Sequence, residues 1–386
     1  MRIAYFNATM VEGFDGVTRV IFKMIEEALS HESEVMAVSA QFSDISGLGA
    51  QLHSVPSVTF PLQRSYNLAL PGYRKFVKEV HQFHPDIIHI NSPCTLGFAA
   101  AKYAREFRVP VVATYHTHFP SYPRYYHLNG CEEIIWKIQR RFYNNVDRTF
   151  VPSPVILQEL QEHGIKRTQY LPNGVDHELF TPTRRSNEWR RKILGDNDDK
   201  PIILFVSRLV WEKDLKTLAA MYAELHGKRD DFQMVVVGQG HARGEFEAIM
   251  PGAIFLGYQS GTALAECYGS SDIFVFPSTT ETFGLVTLEA MSSGLAPIVS
   301  KAGGQTGIIE HGRSGLFFEP MNAHQMCQQV ELLLNDEQQR KEISSGAFER
   351  SKTFRWNAVC SSLFDQYSDV ISTYGRKSVV QYPLVG

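Results

Sequence analysis

The chain has 386 residues, of which 44% are hydrophobic and 20% are charged. This composition is that of a soluble globular protein, and the length exceeds what one ordinary hydrophobic core organises. The formal net charge of −3 argues against bulk attraction to nucleic acid, and five scattered cysteines argue against a disulfide framework or a structural zinc site. No apolar run reaches the roughly 18 residues of a membrane span, and the N-terminus lacks a signal-peptide pattern, so we expect a cytoplasmic protein.

Short apolar runs alternate with amphipathic stretches along the first half of the chain. The apolar runs predict strands at residues 1–7, 35–38, 86–90 and 109–114. The helical periodicity predicts helices at residues 18–29, 73–83 and 96–106. This alternation is typical of a parallel sheet that is covered by helices on both faces.

The same alternation restarts near residue 200. It predicts strands at residues 201–206, 233–237, 253–256, 273–276 and 297–299, and helices at residues 216–226, 263–269, 286–293 and 355–374. Turn-forming residues at 171–185 predict the connection between two domains. We expect an α/β chain of two doubly wound domains, residues 1–175 with 355–386 and residues 176–354, whose ligand lies beyond the carboxyl ends of the strands.

The most specific motif spans residues 274–304, FVFPSTTETFGLVTLEAMSSGLAPIVSKAGG. A polar loop holds Glu281, and Phe283, Gly284 and Leu285 open a helix that carries Glu289. Free N–H groups at a helix start suit a diphosphate, and a glycine allows close approach to the backbone. Glu281 could bind a sugar hydroxyl and Glu289 a ribose diol. The alternative is a capping acid and a solvated glutamate, but the small-residue turns SSG and AGG favour the binding role.

A second motif, VSRLVWEKDLKTL at residues 206–218, places Arg208 after a strand and Lys213 just before a helix. Two cations at the carboxyl end of a strand are typical of a phosphate clamp. Such a clamp would stabilise a departing nucleoside diphosphate electrostatically. The alternative is a pair of ordinary basic surface residues.

Two further segments follow strands in the first half. In GFDGVTRV, at residues 13–20, Gly16 would let the loop approach a diphosphate. In YHTHFPSYPRYY, at residues 115–126, His116 could contact a reacting sugar. Aromatic rings beside a cation suit stacking on a sugar or an amphipathic acceptor, and the acceptor candidates are His118, Tyr122, Arg124 and Tyr125. The H-x-H pair could bind metal instead, although no carboxylate or cysteine cluster accompanies it.

Two patterns imitate known ligand motifs. Gly238-x-Gly240-x-x-x-Gly244 follows a strand but has the wrong spacing for a dinucleotide fingerprint. Asp196-x-Asp198 resembles a metal-binding pair but lies in the hydrophilic run GDNDDK, which predicts a solvated loop.

Taken together, the motifs resemble those of glycosyltransferase family 4, the retaining group with the GT-B fold. In the second half the resemblance rests on SRLVWEKDLKTL, ETFGLVTLEAMSSG, AGG and residues 312–316. In the first half Asp15-Gly16-Val17 and His116-Thr117-x-Phe-Pro are similar to a subgroup of lipid mannosyltransferases and sulfoquinovosyl-diacylglycerol synthases. The fold implied is two Rossmann-like domains that face each other across a cleft, with a C-terminal helix that crosses back to the first domain.

The resemblance also implies residue roles. The residues implied in catalysis are His116 at the sugar, Arg208 and Lys213 at the diphosphate, and Glu281 at the hydroxyls of the transferred sugar. The donor would be bound by Gly16, by Glu289 at the ribose and by the backbone of Phe283, Gly284 and Leu285, in addition to Arg208, Lys213 and Glu281. The chain departs from many relatives in having Phe14-Asp15-Gly16 where they have a glycine-glycine turn.

The expected reaction is transfer of a hexose from a UDP- or GDP-sugar with retention at the anomeric carbon. We expect a front-face course in which the leaving phosphate helps to deprotonate the acceptor, with no cofactor and no essential metal. The alternatives are a nucleotide-sugar epimerase of the same fold and a non-catalytic binding protein.

The acceptor is expected to be a membrane glycolipid. Residues 61–150 carry 12 Lys and Arg against 6 Asp and Glu, and Tyr73, Phe76, Phe142 and Tyr143 lie among them. This pattern favours peripheral docking on the anionic inner face of a membrane. The alternatives are a solvated basic face and a soluble sugar or polysaccharide acceptor.

Overall fold

The structure is a computed structural model that describes residues 1–11, 15–42, 49–59, 67–70, 73–124, 130–195 and 199–379. It divides into two compact units. The first comprises Met1–Pro120, Gly130–Pro172 and Trp356–Gly386, and the second comprises Asn173–Arg355 with a short segment that starts at Ser121. Gly13, Tyr125 and the Asp196-x-Asp198 pattern lie outside the described residues.

The first unit contains a parallel sheet of short apolar strands. In chain order the strands of the first unit are β1 (Arg2–Phe6), β2 (Thr9–Met10), β3 (Glu34–Ser39), β4 (Gln41–Phe42), β5 (Gln51–Ser54), β6 (Ser57–Thr59), β7 (Asn67–Ala69), β8 (Ile87–Ile90), β9 (Val111–Thr114), β10 (Arg148–Val151) and β11 (Thr168–Tyr170). Seven of them form the sheet in the order β11-β10-β9-β8-β1-β3-β5. Its central strands β1, β8 and β9 are almost entirely buried, which is why they are continuous apolar runs.

The helices of the first unit connect these strands. They are α1 (Gly16–Ser30), α2 (Tyr73–Phe83), α3 (Thr95–Phe107), α4 (Glu132–Tyr143) and α5 (Pro154–Glu162). Asp15 caps α1: its Oδ1 accepts the backbone N–H of Thr18 at 2.8 Å, while its own N–H donates to the Thr18 hydroxyl at 3.2 Å. Pro154 begins α5, where its missing N–H removes no helical hydrogen bond.

The second unit has the same layered construction. Its strands are β12 (Ile202–Val206), β13 (Gln233–Val237), β14 (Ile254–Gly257), β15 (Ile273–Phe276), β16 (Ala296–Ser300) and β17 (Leu316–Phe318). Its helices are α6 (Asn187–Leu194), α7 (Leu215–His226), α8 (Arg243–Ala248), α9 (Gly261–Gly269), α10 (Leu285–Ser292), α11 (Ala323–Asn335) and α12 (Glu337–Ser351). The strands form a parallel sheet in the order β14-β13-β12-β15-β16-β17.

The last helix, α13 (Trp356–Val379), belongs to the first unit although it follows the second in the chain. Its buried Tyr367 lies with its hydroxyl 2.5 Å from Nδ1 of His89 on β8 and 3.4 Å from the hydroxyl of Tyr5 on β1. These contacts fix the helix to the centre of the first sheet. The predicted return of the C-terminal helix to the first domain is confirmed.

Each sheet has a point where the strand order reverses. In the first sheet this point lies between β1 and β8, and in the second it lies between β12 and β15. Ligands of doubly wound folds bind in the crevice beyond the carboxyl ends of the strands at such points. The loops that follow these four strands are therefore the first places to look for a site.

The structure corrects one expectation about the basic region. Phe76, Phe142 and Tyr143 are buried in the core of the first unit, because they lie on the inward faces of α2 and α4. They are therefore unavailable to a membrane, and the side chain of Tyr73 lies outside the described part. Within the residues described, no helix has both the length and the apolar character needed to cross a bilayer.

Candidate functional site

The loops after β12, β15 and β16 lie side by side because these strands are neighbours in the second sheet. Arg208 and Lys213 follow β12, Glu281 follows β15, and the AGG turn follows β16. Sequence positions almost 100 residues apart are thus brought to one edge, at the point where the strand order reverses.

An ion pair joins the first two of these loops. Lys213 Nζ lies 2.5 Å from Glu281 Oε1, and the Ser278 hydroxyl donates to the same carboxylate oxygen at 3.0 Å. The two charged side chains are only 15% and 16% exposed. A charge-assisted hydrogen bond between buried groups is stronger than an ion pair at the surface. This pair therefore holds the loops after β12 and β15 in a defined relative position.

The electrostatic balance keeps Glu281 ionised. Burial alone would raise the pKa of its carboxyl group, but the Lys213 ammonium, the Ser278 hydroxyl and the Arg208 guanidinium together hold that pKa below its ordinary value. Arg208 is 39% exposed and its guanidinium lies 4.0 Å from the carboxylate of buried Glu212. The edge therefore holds two cations, Lys213 beside the carboxylate of Glu281 and Arg208 beside that of Glu212.

Asp214 ties the two loops together, and sequence reasoning missed it. Its backbone is left-handed, at φ 55°, a conformation that is rare for residues other than glycine, asparagine and aspartate. Its Oδ2 accepts both the backbone N–H and the hydroxyl of Thr279, each at 2.9 Å. Adjacency to Lys213 was the only signal in the sequence, and the left-handed turn is not visible there.

The glycines of the AGG turn allow the third loop to approach. Gly304 donates its N–H to the carbonyl of Glu281 at 2.6 Å. A Cβ atom on Gly304 would overlap the backbone of Thr282, and one on Gly303 would lie 2.6 Å from the Glu281 carbonyl oxygen. Buried Gln305 adds hydrogen bonds to the carbonyls that end β16 and follow β15.

The Gly238-x-Gly240 pattern has a structural explanation. Side chains at these two glycines would overlap the carbonyl oxygens of Ser207 and Leu209, which flank Arg208. Leu209 also donates its N–H to the carbonyl of Gln239 at 2.8 Å. The glycines therefore allow the loop after β13 to support the Arg208 loop.

Helix α10 begins beside Glu281. Gly284 precedes it at φ 104°, a conformation that favours glycine, so the backbone turns sharply into Leu285. The Phe283 ring is buried against Phe354, which leaves only its backbone for a ligand. Glu289, one turn further on, is 4% exposed and accepts a hydrogen bond from the Tyr268 hydroxyl at 3.1 Å.

In the first unit, Gly16 is the first residue of α1. The Asp15 carboxylate already accepts the N–H of Thr18 in the same turn. A negative charge at this helix start repels a diphosphate and leaves fewer amides for it. This local chemistry differs from that of a glycine-glycine turn.

His116 lies two residues beyond β9, next to the reversal point of the first sheet. Its Nε2 donates to the side-chain carbonyl of Asn91 at 3.0 Å. Burial lowers the pKa of His116 to about 3, and burial together with the nearby His116 lowers the pKa of His89 to about 3. Both imidazoles are therefore neutral over the usual working range of pH.

The acceptor candidates are spread over different surroundings. His118 Nε2 lies 3.0 Å from Glu159 Oε1, and its ring meets the edge of Trp136. Tyr122 is half-buried and Arg124 is exposed, both in the 3₁₀ helix Phe119–Arg124. Tyr125 lies outside the described residues. In the described part of the chain, no three His, Cys, Asp or Glu side chains are grouped as metal ligands would be.

Comparison with known proteins places these sites in context. Residues 14–179 match the family model for glycosyltransferase family 4, and residues 186–350 match the model for glycosyl transferases group 1. The chain is 33% identical to a GDP-mannose-dependent alpha-mannosyltransferase of Corynebacterium glutamicum over 97% of this chain and 91% of that one. It is 34% identical to the sulfoquinovosyl transferase SQD2 of Arabidopsis thaliana over 86% of this chain and 66% of that one.

Among solved structures, the HepE protein of Anabaena in complex with UDP is similar with a TM-score of 0.78. It is 18% identical, and the match covers 96% of this chain and all of that one (100%). The likeness confirms the predicted fold class of two Rossmann-like units.

Proposed function

This chain belongs to glycosyltransferase family 4 and is a hexosyltransferase that uses a nucleotide-sugar donor, and from that premise we propose the site, the course of the reaction and the acceptor. The donor diphosphate binds at the carboxyl edge of the second sheet, between the loops after β12 and β15. The observation that carries this proposal is the buried Lys213–Glu281 pair with Arg208 beside it at the reversal point of the sheet.

Each group in this edge has a task that suits its chemistry. Arg208 and Lys213 bind the phosphates, and the free N–H groups at the start of α10 add to their field. Glu281, held ionised, accepts hydrogen bonds from hydroxyls of the transferred sugar. Glu289 accepts from the ribose, which requires a ligand to reach a carboxylate that Tyr268 now contacts.

The proposed reaction proceeds with retention and without a protein nucleophile. The bond between the anomeric carbon and the β-phosphate oxygen breaks, and the acceptor oxygen bonds to that carbon from the same face. The acceptor proton passes to the leaving phosphate, and the charge that remains on the nucleoside diphosphate is stabilised by the two cations. A helix terminus contributes roughly 0.3–1 kcal/mol at an exposed site, so most of the stabilisation comes from Arg208 and Lys213.

Substitution of the cations tests the donor site. Arg208→Ala and Lys213→Ala should each lower kcat by orders of magnitude, because the leaving phosphate loses a charged hydrogen-bond donor. Lys228→Ala, which removes an exposed lysine paired with Glu224 on α7, is the matched control and should retain activity. Turnover close to that of the wild type in both site variants would overturn the assignment.

The proposed reaction needs no divalent metal, since the two cations occupy the role that a metal would have at the diphosphate. Activity should therefore survive dialysis against EDTA. Loss of activity in EDTA that Mg²⁺ or Mn²⁺ restores would contradict this part of the proposal.

We propose a membrane glycolipid as acceptor and the outer face of α4 as the surface that meets the bilayer. Ile134 and Ile138, one turn apart, are 60% and 48% exposed. Lys137 and Arg141 are exposed on the same face, at positions i+3 and i+7 from Ile134. Apolar side chains flanked by cations complement an anionic lipid surface. We therefore assign membrane docking to this face of α4 and no longer to Phe76, Phe142 and Tyr143, which the sequence suggested but which are buried.

Vesicle flotation tests the docking face. Wild-type protein should float with phosphatidylglycerol-containing vesicles, and the Ile134→Ser/Ile138→Ser variant should not. The control is Ile249→Ser, on the second unit, where the isoleucine is 47% exposed. This variant should float like the wild type. Flotation of the α4 variant would refute the assignment. A dimer that this variant disrupts in the absence of vesicles would instead identify the face as an interface between copies.

Incubation with labelled UDP- and GDP-sugars and a bacterial lipid extract identifies the donor and acceptor. Label in the organic phase would support the lipid acceptor and name the donor. Release of nucleoside diphosphate with the label left in water would contradict the lipid acceptor and favour a soluble sugar or glycan.

A further inference from the structure

A buried amide at the reversal point of the first sheet has an unmet donor. Asn91 directly follows β8 and is 2% exposed. Its Oδ1 accepts the Nε2–H of His116 at 3.0 Å. Its Nδ2 has no hydrogen-bond partner among the described residues. Nothing in the sequence motifs points to this residue.

An unpaired buried N–H group destabilises a folded protein, and native structures contain few of them. Leucine has the same number and branching of side-chain heavy atoms; it would remove the unpaired N–H group of Asn91 but would also remove the acceptor of the His116 Nε2–H. What distinguishes asparagine from leucine here is the hydrogen bond that its carbonyl makes with His116.

We propose that Asn91 is a positioning residue for His116: its carbonyl oxygen holds the imidazole in the Nε2-protonated tautomer and fixes the direction of the ring. Since a neutral imidazole carries one proton, Nδ1 then bears the lone pair. The inference rests on the proposed transfer reaction and on the role that the family resemblance implies for His116, which is contact with the transferred sugar. Asn91 acts through the histidine and does not itself touch the reacting atoms.

The surroundings of His116 support a neutral ring with a fixed tautomer. Burial keeps the His116 ring uncharged, and burial together with the nearby His116 keeps the ring of His89, on β8, uncharged. His89 is held by its own partners, the Thr114 hydroxyl at 2.7 Å and the Tyr367 hydroxyl. Because the Asn91 carbonyl oxygen can only accept a hydrogen bond, its contact with Nε2 favours the proton on that nitrogen of His116.

The Asn91→Leu variant separates positioning from a structural role. We expect kcat to fall roughly 10²-fold, as for a misplaced catalytic group, with little change in KM and a Tm within a few degrees of the wild type. Gln139→Leu is the matched control: Gln139 is also 2% exposed, also has an unpaired side-chain N–H, and accepts from the Tyr115 hydroxyl at 3.3 Å. It should retain wild-type kcat. A large loss of Tm with unchanged kcat in Asn91→Leu would overturn the proposal.

Nitrogen NMR of the protein labelled with ¹⁵N-histidine reads the tautomer directly. The His116 resonances, assigned by their loss in His116→Gln, should show the proton on Nε2 in the wild type and a mixture of tautomers in Asn91→Leu. A proton on Nδ1 in the wild type would overturn the inference without any need for the Asn91→Leu variant. A tautomer that changes while kcat stays constant would keep Asn91 as the positioning residue and remove His116 from the proposed reaction.

Discussion

The Lys213→Met substitution should destabilise the second unit in a way that depends on pH. It leaves the Glu281 carboxylate, 16% exposed, without the ammonium that lies 2.5 Å away. Removal of one partner of a buried ion pair costs about 3–5 kcal/mol. Ser278 and Arg208 still stabilise the carboxylate, so we expect the lower end, about 3 kcal/mol, or a fall of roughly 6–12 °C in Tm.

The pH dependence follows from the direction of the pKa shift. In the wild type the folded pKa of Glu281 is lowered, so its contribution to stability is present above the ordinary glutamate pKa and is lost as the pH falls. In Lys213→Met, burial is less opposed and the folded pKa rises, so protonation relieves the unpaired charge. The difference in Tm between wild type and variant should therefore be largest at pH 7 and should shrink towards pH 4.

Differential scanning calorimetry at both pH values measures this difference, because it resolves the transitions of two units. The Lys213→Met/Glu281→Gln double variant should recover much of the lost stability, since no buried charge remains. Lys228→Met, at an exposed pair with Glu224, should leave the transition unchanged at both pH values. A Lys213→Met transition equal to that of the wild type at pH 7, or a deficit of the same size at pH 4, would refute the reasoning.

Three further predictions concern the supports of the two sites. Asp214→Ala and Asp214→Gly should both lower kcat, but the glycine variant should be more stable by about 1–2 kcal/mol because glycine accepts the left-handed backbone; equal Tm values would contradict this. His89 and His116 have folded pKa values near 3, below the ordinary value for histidine, so the unfolded chain binds more protons in acid. The free energy of unfolding should fall as pH drops from about 6.5, by up to about 1.4 kcal/mol per pH unit for each ring. Urea unfolding of His89→Gln should show a smaller fall, and a pH profile identical to that of the wild type would disprove this prediction. Gly304→Ala should lose activity and stability because its Cβ overlaps the neighbouring loop, whereas Gly244→Ala, in open space within α8, should keep both; thermal shift and turnover assays that do not distinguish the two variants would be inconsistent with this reasoning.

The sequence by itself determined the class of fold and the order of the elements that it predicted, but it missed the helices α4, α5, α6, α8, α11 and α12. Periodicity is a local property: a strand buried on both faces must be a continuous apolar run, and a helix on a sheet must repeat its apolar residues every three or four positions. The strands at residues 233–237 and 273–276 were predicted at their observed bounds. The three-residue strands β11 and β17 were missed, since so short a run has no measurable period.

The sequence also determined which loops to consider, because polar residues follow the apolar strands and the carboxyl ends of parallel strands share one edge. It could not determine which side chains meet there. The Lys213–Glu281 pair joins residues 68 positions apart, and the Asn91–His116 pair joins residues 25 positions apart. Both depend on the order of the strands in their sheets, which no local pattern encodes.

Tertiary structure alone decided how much of each amphipathic segment is covered. Phe142 and Ile138 lie one turn apart on α4. Residues at this spacing share one face of a helix, so the sequence pattern predicts that both are exposed or both are buried. The fold buries Phe142 and leaves Ile138 exposed, because Phe98 of α3 packs on the Phe142 ring while Ile138 is left largely uncovered. Burial is a property of the neighbours that the fold supplies, and those neighbours come from distant parts of the chain.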